Sequence, residues 1–474
     1  MLKYSRIVSV LLIGILLSFL SVAWAAPAPA LIQKVRLGQR PDGLRIVMDM
    51  NVVPDYKVTL EEEPLRLIID MPATLDKVVL PQVKPNDPVV KSLEVKETAA
   101  GQVRAIVTLN RVVSHRVYAL KAPNRLVIDL TRIYDRKVEQ EIRPGLHYTS
   151  WLKGYPFGPV QSYILNVDLK SGLAIKPVLS NGAVAGLETV GAMSTRARAL
   201  AAVNGSYFAL DGEILGLLKL DGELISTPSL PRSAVGIMPD GRIIIDQVVF
   251  SGEAVLPNGR SIRIDGVNRE RGANELILYN GYYGAATGSN AYGVEYLISS
   301  QGKVLGIAAN NTVIEEGCAV LSAHGAAVNA LASLKVGDTV VIRESLGPEW
   351  DEAVHALGAG PRLVKNGSVF LTTKTEDFGS DVAGGRAPRT ALGLTKDGRL
   401  LLVVVDGRQT TSAGMTLLEL ALFMQELGAV DALNLDGGGS SEMVLKDQVL
   451  NKPSDGRERK VGDALVVIPT DLAN

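Results

Sequence analysis

Between residues 146 and 474 the chain is punctuated by Asp-Gly and Asn-Gly pairs, which restrict it to short strands joined by tight turns. The pairs are Asp211-Gly212, Asp221-Gly222, Asp240-Gly241, Asn258-Gly259, Asn366-Gly367, Asp397-Gly398 and Asp406-Gly407. Residues of these types tolerate the positive φ that tight hairpin turns require. β-rich runs such as Leu217-Leu218-Lys219-Leu220 and Ile243-Ile244-Ile245 lie between several of them. Helical periodicity is confined to a few places, among them residues 187–199 and, most clearly, 416–427. In the second, Thr416 and Glu419 form a T-x-x-E capping box and Gly428 ends the helix. Leu417, Leu420, Ala421, Met424 and Leu427 make its apolar face. The region reads as an α+β unit with more strand than helix.

Residues 31–135 carry an internal repeat. The segment 45–71 aligns without gaps to 104–130 at a constant offset of 59, so that Arg66-Leu67-Ile68-Ile69-Asp70 recurs as Arg125-Leu126-Val127-Ile128-Asp129. Neither copy can bury its apolar face alone, which predicts two copies packed face to face as an all-β sandwich. The repeated Arg and Asp residues are expected to cap strand ends. Asp42-Gly43-Leu44-Arg45-Ile46-Val47 and Asn124-Arg125-Leu126-Val127-Ile128-Asp129 resemble the AMIN domain. That resemblance implies a β-sandwich with two-fold internal symmetry that targets cell-wall or envelope polysaccharide, peptidoglycan included; a spacer or dimerisation domain is the alternative. The charged stretch at 136–145, closed by Pro144-Gly145, reads as a linker, and 146–474 as the second unit of a multidomain chain.

Lys3 and Arg6 precede an uncharged apolar run from Ile7 to Leu20, and Ala23-Trp24-Ala25 supplies a small-x-small cleavage site. This is the pattern of a secretory signal peptide over 1–25 and predicts a secreted, periplasmic or envelope-associated protein. Left uncleaved, the same segment is the only expected contact with a membrane. At 474 residues and 47% hydrophobic composition, the remainder can bury substantial cores, and a formal net charge of −1 offers no electrostatic footing for nucleic acid. His115, His147, His324 and His355 show no zinc-ligand spacing, and the single Cys318 reads as a structural thiol.

The chemistry concentrates in Gly-rich segments. The apolar run Leu433-Asn434-Leu435 ends in Asp436, followed by Gly437, Gly438, Gly439, Ser440 and Ser441, and the run before Asp406 ends likewise at Asp406-Gly407-Arg408. Glycine admits close approach of a ligand to the backbone, and successive amides can form a concave nest for an anionic oxygen. The helix at 416–427 links the two runs. Parallel neighbouring strands with a right-handed crossover would bring Asp406 and Asp436 to one sheet edge. Asn204-Gly205-Ser206-Tyr207-Phe208 and Gly266-Val267-Asn268-Arg269-Glu270-Arg271 add amides, aromatics and charge, and Arg389-Thr390 adds a guanidinium. Arg389 and Arg408 could each present a planar fork to phosphate. Asn204 and Asn268 suit sugar hydroxyls, Tyr207 a sugar face, and Asp406, Asp436 and Glu270 acid, base or nucleophile roles.

In order and spacing, these segments resemble the phosphodiester glycosidase family. The motifs are Asn204-Gly205-Ser206-Tyr207-Phe208, the run from Asn268 to Leu276, Arg389-Thr390-Ala391-Leu392-Gly393, Val405-Asp406-Gly407-Arg408 and the run from Ala432 to Ser441. The resemblance implies hydrolysis at the anomeric carbon of a sugar-1-phosphate diester in an envelope glycopolymer or exopolysaccharide. Asp406, Asp436, Arg389 and Glu270 would be the catalytic set. Asn204, Gly205, Tyr207, Asn268, Arg269, Thr390, Arg408, Gly437, Gly438, Gly439 and Ser440 would bind substrate. No cofactor is required; a divalent cation near the Asp residues is compatible with the sequence, and no loop spacing demands one. A non-catalytic polysaccharide-binding protein and a metal-dependent phosphodiesterase attacking phosphorus stand as alternatives.

Overall fold

The computed structural model describes residues 29–472, apart from 41, 84–86, 88, 133, 156 and 229. The leader expected at 1–25 lies outside the described residues. The chain divides into two compact units, the first formed mainly by residues up to 129 and the second by residues 130–474.

In the first unit the strands Leu31–Arg40, Gly43–Met50, Lys57–Glu62 and Leu65–Met71 recur, at about the repeat offset, as Val90–Ala99, Gln102–Leu109, Ser114–Leu120 and Arg125–Thr131. The copies are not one sheet each. One sheet runs Thr74–Leu75, Leu31–Arg40, Gly43–Met50, Arg125–Thr131, Ser114–Leu120, and the other Lys57–Glu62, Leu65–Met71, Gln102–Leu109, Val90–Ala99. Each copy therefore contributes two strands to each sheet. The exchange places the strands with the most regular apolar alternation, such as Gly43–Met50 and Gln102–Leu109, between neighbours on both sides. The repeated charges follow the same exchange. Arg104 Nε donates to Asp70 Oδ1 at 2.7 Å, and Arg45 Nε to Asp129 Oδ1 at 2.6 Å. Positions 45 and 104 are equivalent in the repeat, as are 70 and 129. Asp70, Asp129 and Arg125, which bonds Asp49 at 3.0 Å, thus join copy to copy across strands, whereas Arg66 pairs with Glu61 at 2.7 Å within its own copy.

The second unit is built on an eight-stranded sheet. Its order is Asp135–Arg143, Leu146–Tyr155, Gly158–Val167, Leu400–Val405, Arg389–Thr395, Ala429–Asn434, Arg362–Lys365, Ser368–Val369. The stretch expected to be a linker is thus the edge strand Asp135–Arg143, antiparallel to Leu146–Tyr155. Its charges suit an edge, where they discourage pairing with another chain. Leu400–Val405 is buried along its whole length because both faces are covered. Leu400, Leu402 and Val404 face a core shared with Ala201, Val203, Leu465 and Val467, while Leu401, Val403 and Val405 lie under the helix Leu417–Glu426. A five-stranded sheet of Leu173–Leu179, Asp463–Pro469, Ala201–Asn204, Met443–Leu445 and Gln448–Val449 supplies that shared core. Residues 218–358 build three further small sheets.

The two strands that end at the candidate carboxylates are not neighbours. Arg389–Thr395 lies between Leu400–Val405 and Ala429–Asn434, antiparallel to both. The outer two therefore run parallel to each other and still end at one sheet edge, with Arg389 between their ends. The expected convergence is met by an inserted strand and not by adjacent parallel ones. The helix expected at 187–199 is limited to Val190–Arg196, because Glu188–Thr189 pairs as a strand with Lys460–Val461.

The capping box forms as its sequence predicts. Thr416 Oγ1 accepts from Glu419 N at 3.2 Å, and Glu419 Oε2 accepts from Thr416 N at 2.9 Å. Thr416→Ala should lower unfolding free energy by about 1 kcal/mol in denaturant titrations, and an unchanged midpoint would show the cap to be dispensable.

Candidate active site

The site forms where the eight-stranded sheet meets the five-stranded one. Asn204 closes the strand Ala201–Asn204 and is buried. Its Nδ2 donates to Asp436 O at 2.7 Å, and its Oδ1 accepts from Thr390 Oγ1 at 2.7 Å and from Glu442 N at 3.1 Å. One amide thus ties three chain segments from the two sheets together. With three of its four hydrogen-bonding positions used, Asn204 is a joint of the site.

Asp436 is half-buried and faces this joint. Gly437 N donates to its Oδ1 at 2.8 Å, and the Ser440 side chain also hydrogen-bonds it. Burial pushes its carboxyl up to about 6, against these hydrogen bonds and the nearby Arg459 charge. The nest of amides expected from the three glycines is not what they form, since Gly437 N is taken by Asp436 and Gly438 N donates to Pro388 O at 2.9 Å. The glycines instead clear space. A Cβ on Gly438 would stand 3.4 Å from the Arg408 guanidinium, and one on Gly439 would stand 2.1 Å from Arg459 Nη2. Gly438 also has φ +64°, where a side chain would add strain.

Three guanidiniums surround the glycines. Arg389 is 3% exposed, and Nε, Nη1 and Nη2 donate to Met415 O, Val382 O and Gly385 O at 3.0, 2.9 and 3.2 Å. All three acceptors are neutral carbonyls. Burial lowers its pKa and Arg408 adds repulsion, while Tyr207 works the other way; an arginine nonetheless stays charged. Arg408 is exposed at φ +59°. Arg459 pairs with Asp455, Nε to Oδ2 at 2.8 Å. Arg389, held by three carbonyls, and the exposed Arg408, lying against Gly438, are thus two cations near enough to repel, an arrangement that accommodates an oxyanion.

Asp406 is differently placed. It is 3% exposed, and its carboxylate accepts from Tyr163 Oη at 3.1 Å, Lys452 N at 3.1 Å and Asn451 Nδ2 at 3.4 Å. Burial pushes it up to about 6 against those bonds. It anchors the start of the 451–460 loop, which further along carries Arg459. Tyr207 donates to Gly360 O at 2.8 Å and accepts from Asn434 Nδ2 at 2.9 Å, its ring tilted against Phe378. Burial and the Asp436 charge raise its phenol pKa.

The structure brings Asn204, Gly205, Tyr207, Arg389, Thr390, Arg408, Asp436, Gly437, Gly438, Gly439 and Ser440 together, with Asp406 beneath them. It does not bring Asn268, Arg269 and Glu270 into that hydrogen-bond network. Asn268 Nδ2 donates to Ile225 O and Asn280 Oδ1, Arg269 is paired with Glu275 at 2.7 Å, and Glu270 is exposed. These residues hold the turn after Gly266–Val267 in a separate sheet. Residues not singled out from the sequence include Tyr163, Asn451, Lys452, Arg459 and Asp463. Arg459 sits in the run Asp455-Gly456-Arg457-Glu458-Arg459-Lys460, which reads as a solvated loop. Asp463 precedes its apolar run, whereas Asp406 and Asp436 follow theirs. An Asp on either side of a buried strand was the available signal. Among the described residues, no group of three or more His, Cys, Asp or Glu is arranged to hold a metal ion.

The arginine-lined, carboxylate-bearing end of these packed sheets is the candidate active site. Residues 280–468 match the phosphodiester glycosidase family. The N-acetylglucosamine-1-phosphodiester alpha-N-acetylglucosaminidase of Mus musculus is 31% identical over 170 residues, 33% of this chain and 31% of that protein. The SPbeta prophage-derived uncharacterized protein YomE of Bacillus subtilis is 43% identical over 81 residues, 17% of this chain and 12% of that one. The chain spans less than a third of the length of these two relatives. A solved Synechocystis structure superposes with TM-score 0.66 at 22% identity, covering 92% of this chain and 80% of that one, and shares the fold.

Asp463 is fully buried, and its carboxyl is pushed from 3.8 up to about 6 by burial, with Asp436 adding to the shift. The folded state therefore holds this proton longer than the unfolded chain does. Its stabilising contribution is complete below about pH 4 and lost as pH rises to about 6. Asp463→Asn should match wild-type stability near pH 4 and exceed it by about 2–3 kcal/mol above pH 7. Thermal melts across that range check this; a variant less stable at every pH would contradict it.

Proposed function

We propose that this chain is an exported hydrolase of glycosyl-1-phosphodiesters, cleaving the bond between sugar C1 and the phosphate oxygen. One observation carries the proposal: Arg389 and Arg408, which make no ion pair with a carboxylate among the described residues, flank the glycines that follow the half-buried Asp436. Such a pair suits a phosphodiester, whose bridging oxygen gains negative charge as the C1–O bond stretches. Cations already in place strengthen their hold as that charge develops, which is how binding energy is turned into rate. The departing phosphomonoester is stable as an anion, so no separate proton donor is needed. Asp436 acts at the anomeric carbon, either accepting a proton from attacking water or attacking directly. The first course inverts the anomer and the second, after hydrolysis of the intermediate, retains it. Products are a free sugar and a phosphomonoester. Asp406, its oxygens occupied, holds the arginine-bearing loop.

N-acetylglucosamine is the proposed sugar, supported by the activity for which the mouse relative is named. An envelope glycopolymer or exopolysaccharide is the proposed substrate class, supported by the leader pattern and the AMIN-like repeat of the first unit. That unit is proposed to hold the enzyme on envelope polysaccharide.

Protein lacking residues 1–25, incubated with an alkyl N-acetylglucosamine-1-phosphate diester, should release reducing sugar. Asp436→Asn should abolish release, Arg389→Gln should lower kcat/KM roughly 100-fold, and Arg408→Gln should raise KM about tenfold. In oxygen-18 water the label should enter the sugar; label in the phosphate would instead mark attack at phosphorus. Sugar binding without turnover, across a panel of sugars, would make the protein a lectin.

A further inference from the structure

One carboxyl beside the site has no part in the chemistry above. Asp463 opens the strand Asp463–Pro469, is fully buried, and lies across Gly205 from Asp436. Gly205 N donates to Asp463 O at 3.2 Å, and Gly205 O accepts from Asp436 N at 3.0 Å, so a single glycine links the two acids through their backbones. A Cβ on Gly205 would stand 2.5 Å from Asp463 Oδ1. The carboxyl therefore fills the space that any other residue at 205 would need for its side chain. Oδ1 accepts from Ser206 N at 2.6 Å and the Ser206 hydroxyl also bears on this carboxyl, while Oδ2 is buried with no hydrogen bond of good geometry. An orphaned buried oxygen is costly as part of a carboxylate and far less so as part of a neutral acid.

We propose that Asp436 and Asp463 form one two-carboxyl unit across Gly205, in which Asp463 is the positioning residue that holds a proton and keeps Asp436 ionised. The kinetic consequence rests on the hydrolase function proposed above; the pairing itself does not. Charged and titratable groups face the pair from several elements. Tyr207 follows the strand Ala201–Asn204, Arg389 begins its own strand, and Arg459 comes from the 451–460 loop and acts on Asp436. Glu442, whose carboxyl burial and the neighbouring Glu458 push upward, lies beyond Asn204. Leu357 closes the remaining side of Gly205 with apolar contact. None of these cations forms an ion pair with Asp463, so two ionised carboxylates would repel without relief. The sealed member keeps its proton, and the member that reaches solvent gives its proton up. Both carboxyls are displaced upward, and the Asp436 charge is among the causes at Asp463.

Infrared difference titration of the substrate-free protein tests the pairing. Wild type should lose the two carboxyl protons in separated steps. Asp436→Asn should lower the second step, because Asp463 no longer meets an ionised partner, while Asp463→Asn should remove that step and leave the first near its wild-type place. Asp436→Ser serves where Asp436→Asn does not fold. An Asp463 step left unmoved by loss of the Asp436 charge overturns the proposal. In kinetics, Asp463→Asn should remove one ionisation from the pH profile of kcat/KM. Coupled titration without turnover of any glycosyl phosphodiester would keep the pair and reject the hydrolase. Turnover with independent titrations would do the reverse.

Discussion

The side chain of Asn204 is the interaction on which the rest of the site depends. Its bonds to Asp436 O, Thr390 Oγ1 and Glu442 N add directed polar links to the apolar core that the eight-stranded and five-stranded sheets share. Apolar packing is non-directional and tolerates small slides. A buried amide is not tolerant in this way, since leaving its polar atoms unpaired costs free energy. The amide therefore fixes the register between two strand ends, and with it the placement of Asp436 relative to Arg389. Gly205 works alongside it, because its missing side chain is what lets Asp463 lie against the same turn.

Around that joint the protein keeps charges in places that do not favour folding. Asp406, Asp436 and Asp463 are all displaced upward by burial. Arg389 is almost fully buried with only carbonyls for company. A core optimised for stability would pair these groups or replace them. Concentrating unpaired charges of both signs at one sheet edge is what a site for an anionic substrate requires, and the covered strands around it supply the stability that the edge gives up.

Much of the architecture was legible beforehand, for local reasons. The repeat predicted equivalent strands in the first unit, and the T-x-x-E box predicted the helix start at Thr416, because both depend on short-range chemistry. The convergence of Asp406 and Asp436 was also legible, though not the strand Arg389–Thr395 that lies between them. The exchange of strands between repeat copies escaped prediction, since alternation shows which face is buried and not which partner buries it. The edge strand Asp135–Arg143 was hidden because its charges look the same in a linker as on an exposed edge.

The sequence by itself determined the elements, the glycine turns and the residue types available for chemistry, all properties of chain neighbours. Tertiary structure alone decided which of those residues meet. It left Asn268, Arg269 and Glu270 outside the hydrogen-bond network of the arginine-lined edge, occupied the oxygens of Asp406, and tied up the Gly437 and Gly438 amides while setting Gly438 and Gly439 against guanidiniums. It also brought Asp463, 27 positions beyond Asp436 in the chain, to the far side of Gly205. Hydrogen-bond partners and burial are set by distance in space, and a side chain's charge and exposure follow from them.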